Sequence, residues 1–380
     1  MRLLVLDAYH GGSHAAFVRG WSARSRHEHD LLTLPGHHWK WRMRQAAIGF
    51  AATVGERYAA GERWDALVVT DMLDLATFAG LVPAAVAALP RMVYFHENQL
   101  TYPVRHHDVR DLHFAFTNIT TCLAADAVVF NSGFHRDAFL AAVDELTAKM
   151  PDHQPTAAAS TIRARCSVVP PGIDPPASPR RRGPRDEGPL RVLWPHRWEY
   201  DKDPKSFFAA IGAARRLGAQ LRLIVVGERF REAPPSFAAA ALEHADIIDQ
   251  WGYVEDHAAY RGLLARADVV VSTAIHEFFG IAVVEAVAAG AFPVVPPRLA
   301  YPETLRSADG GRRSEFFYDG SVAGLAARLV ALAEEPAALW GAGGQGRDCG
   351  AEVVAGYLWP AVSERLDRQV EGLLAGDRVR

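Results

Sequence analysis

The segment His276-Glu277-Phe278-Phe279-Gly280-Ile281-Ala282-Val283-Val284-Glu285 decides the predicted fold of the second half of the chain. The apolar run Ala267 to Ala274 before it predicts a buried parallel strand, and Ile281 to Gly290 predicts a helix that ends at a glycine. The two glutamates therefore flank a strand-to-helix turn, with Glu285 about 12 Å beyond Glu277 along the helix axis. Repeated strand–turn–helix units of this kind build a parallel α/β sheet.

The same turn is a predicted anion site. The N–H groups of Phe279, Gly280 and Ile281 have no partner inside the helix, and the helix dipole favours negative charge there. A diphosphate at the turn, with a hydroxyl-bearing group beside each carboxylate, has the layout of a nucleotide sugar. The alternative is that Glu277 only stabilises the helix dipole and that Glu285 is a solvated helix residue.

Length and composition predict a cytosolic protein of two domains. At 380 residues the chain exceeds one ordinary core, and no run approaches about 18 uninterrupted apolar residues, so we expect two α/β domains and no membrane span. The short run Leu3 to Leu6, ending on Asp7, predicts a strand rather than a signal peptide. Cys122, Cys166 and Cys349 are scattered, which is typical of a reducing compartment without structural metal. A net charge of −3 confines any polyanion site to a local patch.

Strand and helix patterns alternate over two stretches, 1–174 and 190–355, and predict two Rossmann-like, doubly wound domains. The Pro-, Gly- and Arg-rich stretch 175–189 is the predicted linker, and a helix near 356–380 is expected to pack back on the first domain. Ligands of such sheets bind at the carboxyl ends of the strands, so we expect a cleft between the domains. The predicted strands are Leu3–Asp7, Leu31–Leu34, Ala66–Thr70, Met92–His96, Ala127–Asn131, Ser167–Val169, Arg191–Trp194, Leu221–Val226, Ile247–Trp251, Val269–Thr273 and Phe292–Val295.

Two polar turns follow strands of the first domain. Gly11-Gly12-Ser13-His14 could bring the backbone close to a phosphate, but it is not the G-x-G-x-x-G pattern of dinucleotide-binding dehydrogenases. His96, followed by Glu97 and Asn98, could hydrogen-bond a sugar hydroxyl or stabilise charge on a transferring group. The alternative for His96 is a structural histidine that caps a loop.

Two cations, Arg197 and Lys202, follow the first strand of the second domain and could neutralise a diphosphate leaving group. Ion pairs with Glu199 and Asp201 are the alternative. The aromatic-flanked glycine in Trp251-Gly252-Tyr253 could receive a flat base, although either ring could belong to the core.

The stretch His37-His38-Trp39-Lys40-Trp41-Arg42-Met43-Arg44 interleaves cations with aromatic rings. Cations contact phosphates and tryptophan offers a stacking face, which is the usual equipment for single-stranded nucleic acid. An amphipathic helix start that buries Trp39 or Trp41 fits the pattern equally well.

Taken together, the acid-turn-acid segment, the Arg197 and Lys202 pair and the glycine turn resemble the retaining GT-B glycosyltransferases of family four over nearly the whole chain. Within them, an ordered series of segments resembles the tRNA-queuosine α-mannosyltransferases. These segments are Ala8–His14, Leu34-Pro35 with Trp39–Arg42, Tyr94–Leu100, Phe130–Ser132, Trp194–Glu199, Asp201–Pro204 and His276–Gly280.

The resemblance implies a GT-B fold and transfer of mannose from GDP-mannose, with retention, to the queuosine base in the anticodon of tRNA-Asp. It implies a nucleotide sugar and tRNA as partners and no metal cofactor. A family-four enzyme for a lipid or small-metabolite acceptor, or a non-catalytic nucleotide-sugar or RNA-binding protein, is the alternative. The sequence does not choose the donor base or the oligomeric state. The alanine- and arginine-rich composition is typical of bacteria, and the linker is shorter than in animal enzymes of the family.

The resemblance also implies roles for single residues. Glu285 would hold the ribose, Glu277 the hexose, and Arg197 and Lys202 the diphosphate. The implied catalytic residues are His96, Arg197, Lys202 and Glu277. The implied donor-binding residues are Gly11, Gly12, Arg197, Lys202, Trp251, Gly252, Tyr253, Glu277, Phe278, Phe279, Gly280, Ile281 and Glu285. The implied acceptor-binding residues are Ser13, His14, Trp39, Lys40, Trp41, Arg42, Arg44, Glu97, Asn98, Gln99, Asn131 and Ser132.

Overall fold

A computed structural model describes residues 1–104, 110–175, 188–229, 234–306, 313–335, 338–340 and 349–375. The chain forms two units, the first made of Met1–Gly172 and Trp359–Arg380 and the second of Ile173–Leu358. Most of the predicted linker 175–189 lies outside the described residues. Within the described residues, no helix is both long and apolar enough to cross a membrane.

The first unit is built on a six-stranded parallel sheet in the order β2-β1-β3-β4-β5-β6. Its central strands are almost wholly buried because helices cover both faces. The order of the strands reverses between β1 and β3, which places the topological switch point of this sheet there. The strands are β1 Arg2–His10, β2 Glu28–Pro35, β3 Ala66–Thr70, β4 Arg91–Phe95, β5 Ala127–Phe130 and β6 Cys166–Val168.

Seven helices precede β7 in the described part of the chain. Asp74, Asp111 and Ser132 begin three of them by accepting a hydrogen bond from a first-turn amide, which is the usual function of these residue types at an N-cap. The helices are α1 Gly12–Ser22, α2 Trp39–Ala59, α3 Leu75–Leu81, α4 Ala84–Ala87, α5 Leu112–Ala124, α6 Gly133–Ala148 and α7 Ala158–Arg163.

The second unit holds a five-stranded parallel sheet in the order β11-β10-β7-β8-β9. This is the Rossmann arrangement, with its switch point between β7 and β10. The strands are β7 Leu190–Pro195, β8 Leu221–Val226, β9 Ile248–Gly252, β10 Val269–Val271 and β11 Phe292–Val294. The helices are α8 Pro204–Arg216, α9 Ser236–Glu243, α10 His257–Arg266, α11 Ile281–Ala288, α12 Tyr301–Thr304, α13 Val322–Glu334 and α14 Cys349–Val354.

The last helix, α15 Trp359–Leu374, belongs to the first unit. Its Trp359 ring fills the space above two glycines: a Cβ added to Gly20 or Gly172 would lie 2.0 or 2.2 Å from the indole. Asp367 of the same helix accepts hydrogen bonds from Trp21 Nε1 at 2.8 Å and Ser25 Oγ at 2.6 Å. Close packing and a buried carboxylate thus anchor the C-terminal helix beside α1.

The helical pattern from Glu352 to Gly372 predicts a continuous helical stretch, and this is wrong in one respect, because the structure breaks it. After α14, a short 3-10 turn at Ala355–Tyr357 and the extended residue Leu358 precede α15. Pro360, in the first turn of α15, lacks the N–H that a continuous helix would need there.

Candidate active site

The ammonium of Lys202 lies at the switch point of the second sheet and contacts three oxygens. Lys202 Nζ donates to the His276 carbonyl at 2.8 Å and to Glu277 Oε2 at 3.3 Å, and it lies 3.0 Å from Asp201 Oδ2. Two of the three N–H groups of this ammonium thus donate hydrogen bonds, and Asp201 adds an ion pair without a hydrogen bond. The Lys202 side chain is only 7% exposed. A diphosphate that binds this ammonium must therefore reach a buried group that already contacts three protein oxygens.

Backbone hydrogen bonds join the loops after β7 and β10 around this ammonium. Ile275 and His276 both donate their amides to the carbonyl of Asp201, at 2.9 and 3.3 Å. Thr273 Oγ1 contacts the carbonyls of Lys202 and Asp203, at 2.8 and 3.0 Å. The two loops are thereby fixed to each other, and Glu277 is held beside Lys202.

The charges of this cluster are mutually stabilised. Burial alone would raise the pKa of Glu277, but Lys202 and the neighbouring histidines lower it to about 2. Burial opposes the charge of Lys202, yet Glu277 and Asp201 raise its pKa. Burial and the adjacent Lys202 lower the pKa of His196 and of His276 to about 4, so both imidazoles are neutral at pH 7. The ionised Glu277 and the ammonium of Lys202 therefore stabilise each other.

Helix α11 begins at Ile281, shortly after Glu277, and its N-cap Gly280 has a conformation that suits glycine. Gly280 has φ of 89°, and a Cβ there would lie 2.8 Å from a ring carbon of Tyr301. No side chain caps the helix, and Phe278 and Phe279 are buried beneath the turn. Among the described residues, the amides at the start of α11 therefore have no side-chain acceptor and can receive an anion.

Glu285 lies within α11, and its carboxylate contacts a side chain other than Lys202. The hydroxyl of Tyr260, on α10, lies 3.5 Å from Glu285 Oε2. Burial, reinforced by nearby Asp174, raises the pKa of Glu285 to about 7, while Tyr260 and Arg261 act in the opposite sense. This half-buried carboxylate is thus close to its midpoint of ionisation at neutral pH.

The other predicted donor residues of this unit differ in exposure and in the side chains that they contact. Arg197, whose side chain is 43% exposed, lies 3.4 Å from Glu199. Trp251 packs its ring against the buried Trp198 at 5.4 Å, so packing accounts for this side chain. Tyr253 is 64% exposed, and it follows Gly252, whose φ of 105° favours glycine. The predicted roles of Trp251, Gly252 and Tyr253 toward a base stay predictions.

In the first unit, His96 lies at the carboxyl end of β4 within a stack of rings. Its imidazole lies 4.1 Å from His14, 4.9 Å from Phe17 and 4.8 Å from Tyr94, centroid to centroid. Burial, with further contributions from His14 and His135, holds the pKa of His96 well below its usual range. A neutral imidazole suits hydrogen bonding to a sugar hydroxyl better than charge stabilisation.

Several predicted acceptor residues support turns through their side chains. Asn98 Oδ1 accepts from the amides of Leu100 and Thr101 at 3.0 and 2.8 Å, and Gln99 Nε2 donates to Glu97 at 3.0 Å. These bonds shape the loop that follows His96.

The loop after β5 is held in a similar way. Asn131 Nδ2 donates to the carbonyl of His96 at 2.9 Å, and Ser132 Oγ accepts from the amide of His135 at 3.0 Å to begin α6. Whether Asn131 and Ser132 also meet an acceptor stays a prediction.

The glycine turn after β1 consists of two different glycines. Gly11 packs against Gly36 of the neighbouring turn, since its Cβ would lie 3.0 Å from the Gly36 Cα. Gly12, with φ of 50°, begins α1 and faces open space. Ser13 is exposed, whereas His14 is buried. Gly12 and Ser13 are therefore the accessible part of the predicted site.

The basic-aromatic stretch forms the first turns of α2. Trp39 packs on Phe114 at 5.1 Å, while Trp41 is 61% exposed. Arg42 Nε donates to the Pro35 carbonyl at 3.2 Å. The predicted helix start that packs Trp39 inward is thus observed, and contact of the exposed Trp41 with nucleic acid stays a prediction.

Two residues that the sequence analysis did not select, Tyr260 and Asp71, belong to these clusters, and the predicted alternative of an ion pair between Lys202 and Asp201 is observed. Asp201 neutralises Lys202, and Tyr260 contacts Glu285. Asp71 follows β3 and accepts the amide of His96 at 3.1 Å. Burial, together with Glu97, raises the pKa of Asp71 well above its usual range. An acid directly after a buried strand was the available signal for Asp71.

Within the described ranges, no group of three or more His, Cys, Asp or Glu side chains could hold a metal ion. Metal independence itself stays a prediction.

Comparison with known proteins identifies relatives of both units. Residues 2–173 match the model of the tRNA-queuosine alpha-mannosyltransferase N-terminal family, and residues 178–338 match glycosyl transferases group 1. The tRNA-queuosine alpha-mannosyltransferase of Drosophila melanogaster is 33% identical over 310 residues, which cover 79% of this chain and 81% of the relative. The chain belongs to the tRNA-queuosine alpha-mannosyltransferase family. It is a glycosyltransferase, as the predicted family resemblance implied.

A second relative matches about half of this chain. The GDP-mannose-dependent alpha-(1-6)-phosphatidylinositol dimannoside mannosyltransferase of Mycobacterium tuberculosis is 32% identical over 203 residues, 52% of this chain and 47% of the relative.

Solved structures confirm the predicted GT-B fold. Sucrose-phosphate synthase from Thermosynechococcus elongatus has a TM-score of 0.73 at 16% identity, covering 99% of this chain and 100% of that chain. Anabaena HepE in complex with UDP has a TM-score of 0.65 at 16% identity, covering 98% and 100%.

Replacement of Lys202 by Met should destabilise the protein by about 3 kcal/mol, because it leaves Asp201 and Glu277 without their cation. Urea unfolding measures the change. The exposed Lys205, three residues further on, is the control: Lys205→Met should change stability by less than about 0.5 kcal/mol. Equal effects of the two variants would contradict the role of Lys202 in holding the carboxylates.

Replacement of Gly280 by Ala should cost about 1–3 kcal/mol, because the residue has positive φ and Tyr301 occupies the space that Cβ would need. Gly262→Ala within α10 is the matched control, since no atom lies within 4 Å of its Cβ position. Helix propensity predicts that the control gains up to about 1 kcal/mol. Thermal unfolding compares the two, and a stable Gly280→Ala protein would contradict the strained turn.

Proposed function

We propose that this chain transfers mannose from GDP-mannose to the queuosine base in the anticodon of tRNA-Asp. The family and the Drosophila relative, whose name specifies tRNA-queuosine and α-mannosyl transfer, support both the reaction and the acceptor. The partial match to a GDP-mannose-dependent mannosyltransferase supports the donor. A tRNA substrate also favours the cytoplasm as the place of action.

The donor part of the proposal depends on one observation: the carboxylate of Glu277, held by Lys202, directly precedes the uncapped start of α11. A diphosphate placed at the helix start would face its amides and the positive end of the dipole. Glu277 would then contact the hexose and Glu285 the ribose. The family resemblance is the source of these two assignments.

During transfer, the bond between the hexose and the diphosphate breaks, and negative charge grows on the leaving group. The amides of α11, with Arg197 and Lys202, can stabilise this charge without rearrangement of the backbone. We propose that these groups replace a divalent metal. Retention of configuration follows from the family resemblance.

The acceptor part rests on α2. Lys40, Arg42 and Arg44 occupy its first two turns, and no acidic residue follows in the helix before Glu56. Cations at a helix N-terminus oppose the dipole, so this arrangement is unfavourable for the helix alone. An RNA backbone would compensate for it, and the exposed Trp41 beside these cations offers a stacking face for an unpaired base.

A lipid acceptor is the second candidate, because the mycobacterial relative is named for phosphatidylinositol dimannoside. The match of the first unit to the tRNA-queuosine family, however, spans residues 2–173 and favours tRNA. The two acceptors are distinguished by direct assay.

Labelled GDP-mannose, UDP-glucose and ADP-glucose should be incubated separately with purified protein and tRNA-Asp with or without queuosine. We expect label transfer only from GDP-mannose and only to queuosine-containing tRNA. Transfer to phosphatidylinositol mannosides and not to tRNA would overturn the acceptor. Absence of turnover with every pair would favour a binding protein, and intact turnover in Glu277→Ala would contradict the assignment of Glu277.

Trp41→Ala should weaken transfer to tRNA by about tenfold or more, as expected for loss of one stacked base, and should leave GDP-mannose binding unchanged. Leu81→Ala is the control, since Leu81 is another exposed apolar side chain, 54% exposed at the end of α3. Added salt should weaken tRNA binding by the wild type, because salt cations compete with Lys and Arg side chains for the phosphates. Unchanged tRNA transfer in Trp41→Ala would exclude this surface.

Donor affinity should fall as pH decreases through about 7, because Glu285 accepts bonds from two ribose hydroxyls best when ionised. Below this pKa the protonated, neutral form of Glu285 predominates. Calorimetry with GDP between about pH 5.5 and about pH 8.5 should show up to about tenfold loss per pH unit on the acid side. Glu285→Gln should bind weakly at every pH. A flat wild-type profile would contradict the role of Glu285.

Turnover should survive treatment with EDTA, since helix amides and two cations take the place of a metal. Activity measured before and after chelation tests this, with a known metal-dependent transferase as the control. Loss of activity that magnesium or manganese alone restores would contradict the proposal.

A further inference from the structure

The hydroxyl of Tyr260 contacts the carboxylate of Glu285 across two neighbouring helices. It lies 3.5 Å from Oε2, and both residues are half-buried. Burial, reinforced by the charge of Glu285, raises the pKa of Tyr260, so the phenol keeps its proton at neutral pH. An ionised carboxylate only accepts hydrogen bonds, so the phenol is the donor of this pair.

Helix α10 gives this hydroxyl a fixed place. Asp256 caps the helix and accepts the amides of Ala258 and Ala259 at 3.1 Å each. The amide of Tyr260 donates to the carbonyl of Asp256 at 2.9 Å, within the first turn. Helices α10 and α11 pack against each other inside the second unit. The contact between Tyr260 and Glu285 therefore joins two ordered elements of a single unit.

Most of the Glu285 carboxylate stays available to a ligand. Its two oxygens have about four lone-pair sites, and Tyr260 uses one of them, on Oε2. Among the residues that the structure describes, no hydrogen bond to Oε1 is found. A carboxylate that is held through one oxygen and open at the other suits recognition of neighbouring hydroxyls, because its orientation is set before the ligand arrives.

The groups around this carboxylate act on its charge in opposite directions. Tyr260 favours the ionised form most, and Arg261, also on α10, favours it less. Burial and Asp174 oppose the charge. Helix α14 packs on α11 as well, but its Glu352 lies 3.7 Å from Arg313. Removal of the Tyr260 hydroxyl should therefore shift this carboxylate toward its neutral form, which is the weaker acceptor.

We propose that Tyr260 is a positioning residue for the nucleotide: its hydroxyl holds Oε2 of Glu285, so that the remaining lone pairs of the carboxylate face the ribose hydroxyls. This inference rests on the proposed binding of a nucleoside diphosphate sugar. It assigns the ribose contact to a pair of side chains rather than to Glu285 alone. The O–H group of Tyr260 carries this role, so phenylalanine at the same position keeps the ring and removes only the donor.

The test compares the binding of GDP and of dideoxy-GDP, which lacks both ribose hydroxyls, to the full chain by calorimetry at neutral pH. Tyr260→Phe should weaken GDP binding by about three- to tenfold, the effect of one hydrogen bond of modest strength. Its affinity for dideoxy-GDP should stay within about twofold of the wild type, because that nucleotide offers no hydroxyl to Glu285. Tyr58→Phe, within α2 of the first unit, is the control and should bind both nucleotides as the wild type does.

Two further readouts separate positioning of Glu285 from a packing role of the tyrosine. In Tyr260→Phe, the loss of GDP affinity on the acid side should begin at a higher pH than in the wild type, because the ionised carboxylate has lost its donor. In a Glu285→Gln background, Tyr260→Phe should change GDP affinity by less than about twofold, because the group that it positions is already altered.

A GDP affinity of Tyr260→Phe within about twofold of the wild type would overturn the inference. Equal losses for GDP and dideoxy-GDP, an unchanged pH profile, or the full additional loss in the Glu285→Gln background would do the same. A wild type that binds the two nucleotides equally would remove the ribose contact, and the inference with it. Absence of GDP binding by the wild type is a different result, which removes the proposed donor itself before any variant is made.

Discussion

The arrangement of the donor unit depends on one buried ammonium. Lys202 contacts Asp201, Glu277 and the carbonyl of His276, and it thereby joins the loops that follow β7 and β10. Buried carboxylates are costly unless they are paired, and removing one partner of such a group leaves uncompensated charge. The position of Glu277, and with it the start of α11, therefore depends on a residue 75 positions earlier in the chain.

The same interaction explains how an ionised Glu277 can lie close to an anion-binding helix start. Lys202 keeps Glu277 ionised, whereas burial outweighs the effects of Tyr260 and Arg261 at Glu285 and raises its pKa to about 7. The surroundings of Glu285 disfavour its ionised form, which hydrogen bonds from ligand hydroxyls would stabilise. Functional sites often retain groups that cost stability in this way. The cationic first turns of α2 show the same conflict, because they oppose the helix dipole in the absence of an anion.

Much of the fold could be predicted from the sequence because strand runs and helix patterns alternate regularly. The segment from His276 to Glu285 was placed correctly at a strand-to-helix turn, and so were the loops that carry Arg197 and Lys202. Long-range partners could not be predicted, because periodicity says nothing about which side chains meet. Tyr260 contacts Glu285 from another helix, and Trp39 and Trp251 pack their rings where single-residue patterns allowed exposure. The break before α15 was also missed, since the pattern on both sides of Pro360 is helical.

The central claim is that the segment from Glu277 to Glu285 holds a nucleotide sugar. A crystal structure of the chain with GDP-mannose tests it most directly. We expect the diphosphate at the amides that begin α11, the ribose hydroxyls within hydrogen-bonding distance of Glu285, and the mannose beside Glu277. A nucleotide bound elsewhere, with Lys202, Glu277 and Tyr260–Glu285 contacts unchanged and no ligand at the start of α11, would contradict the account.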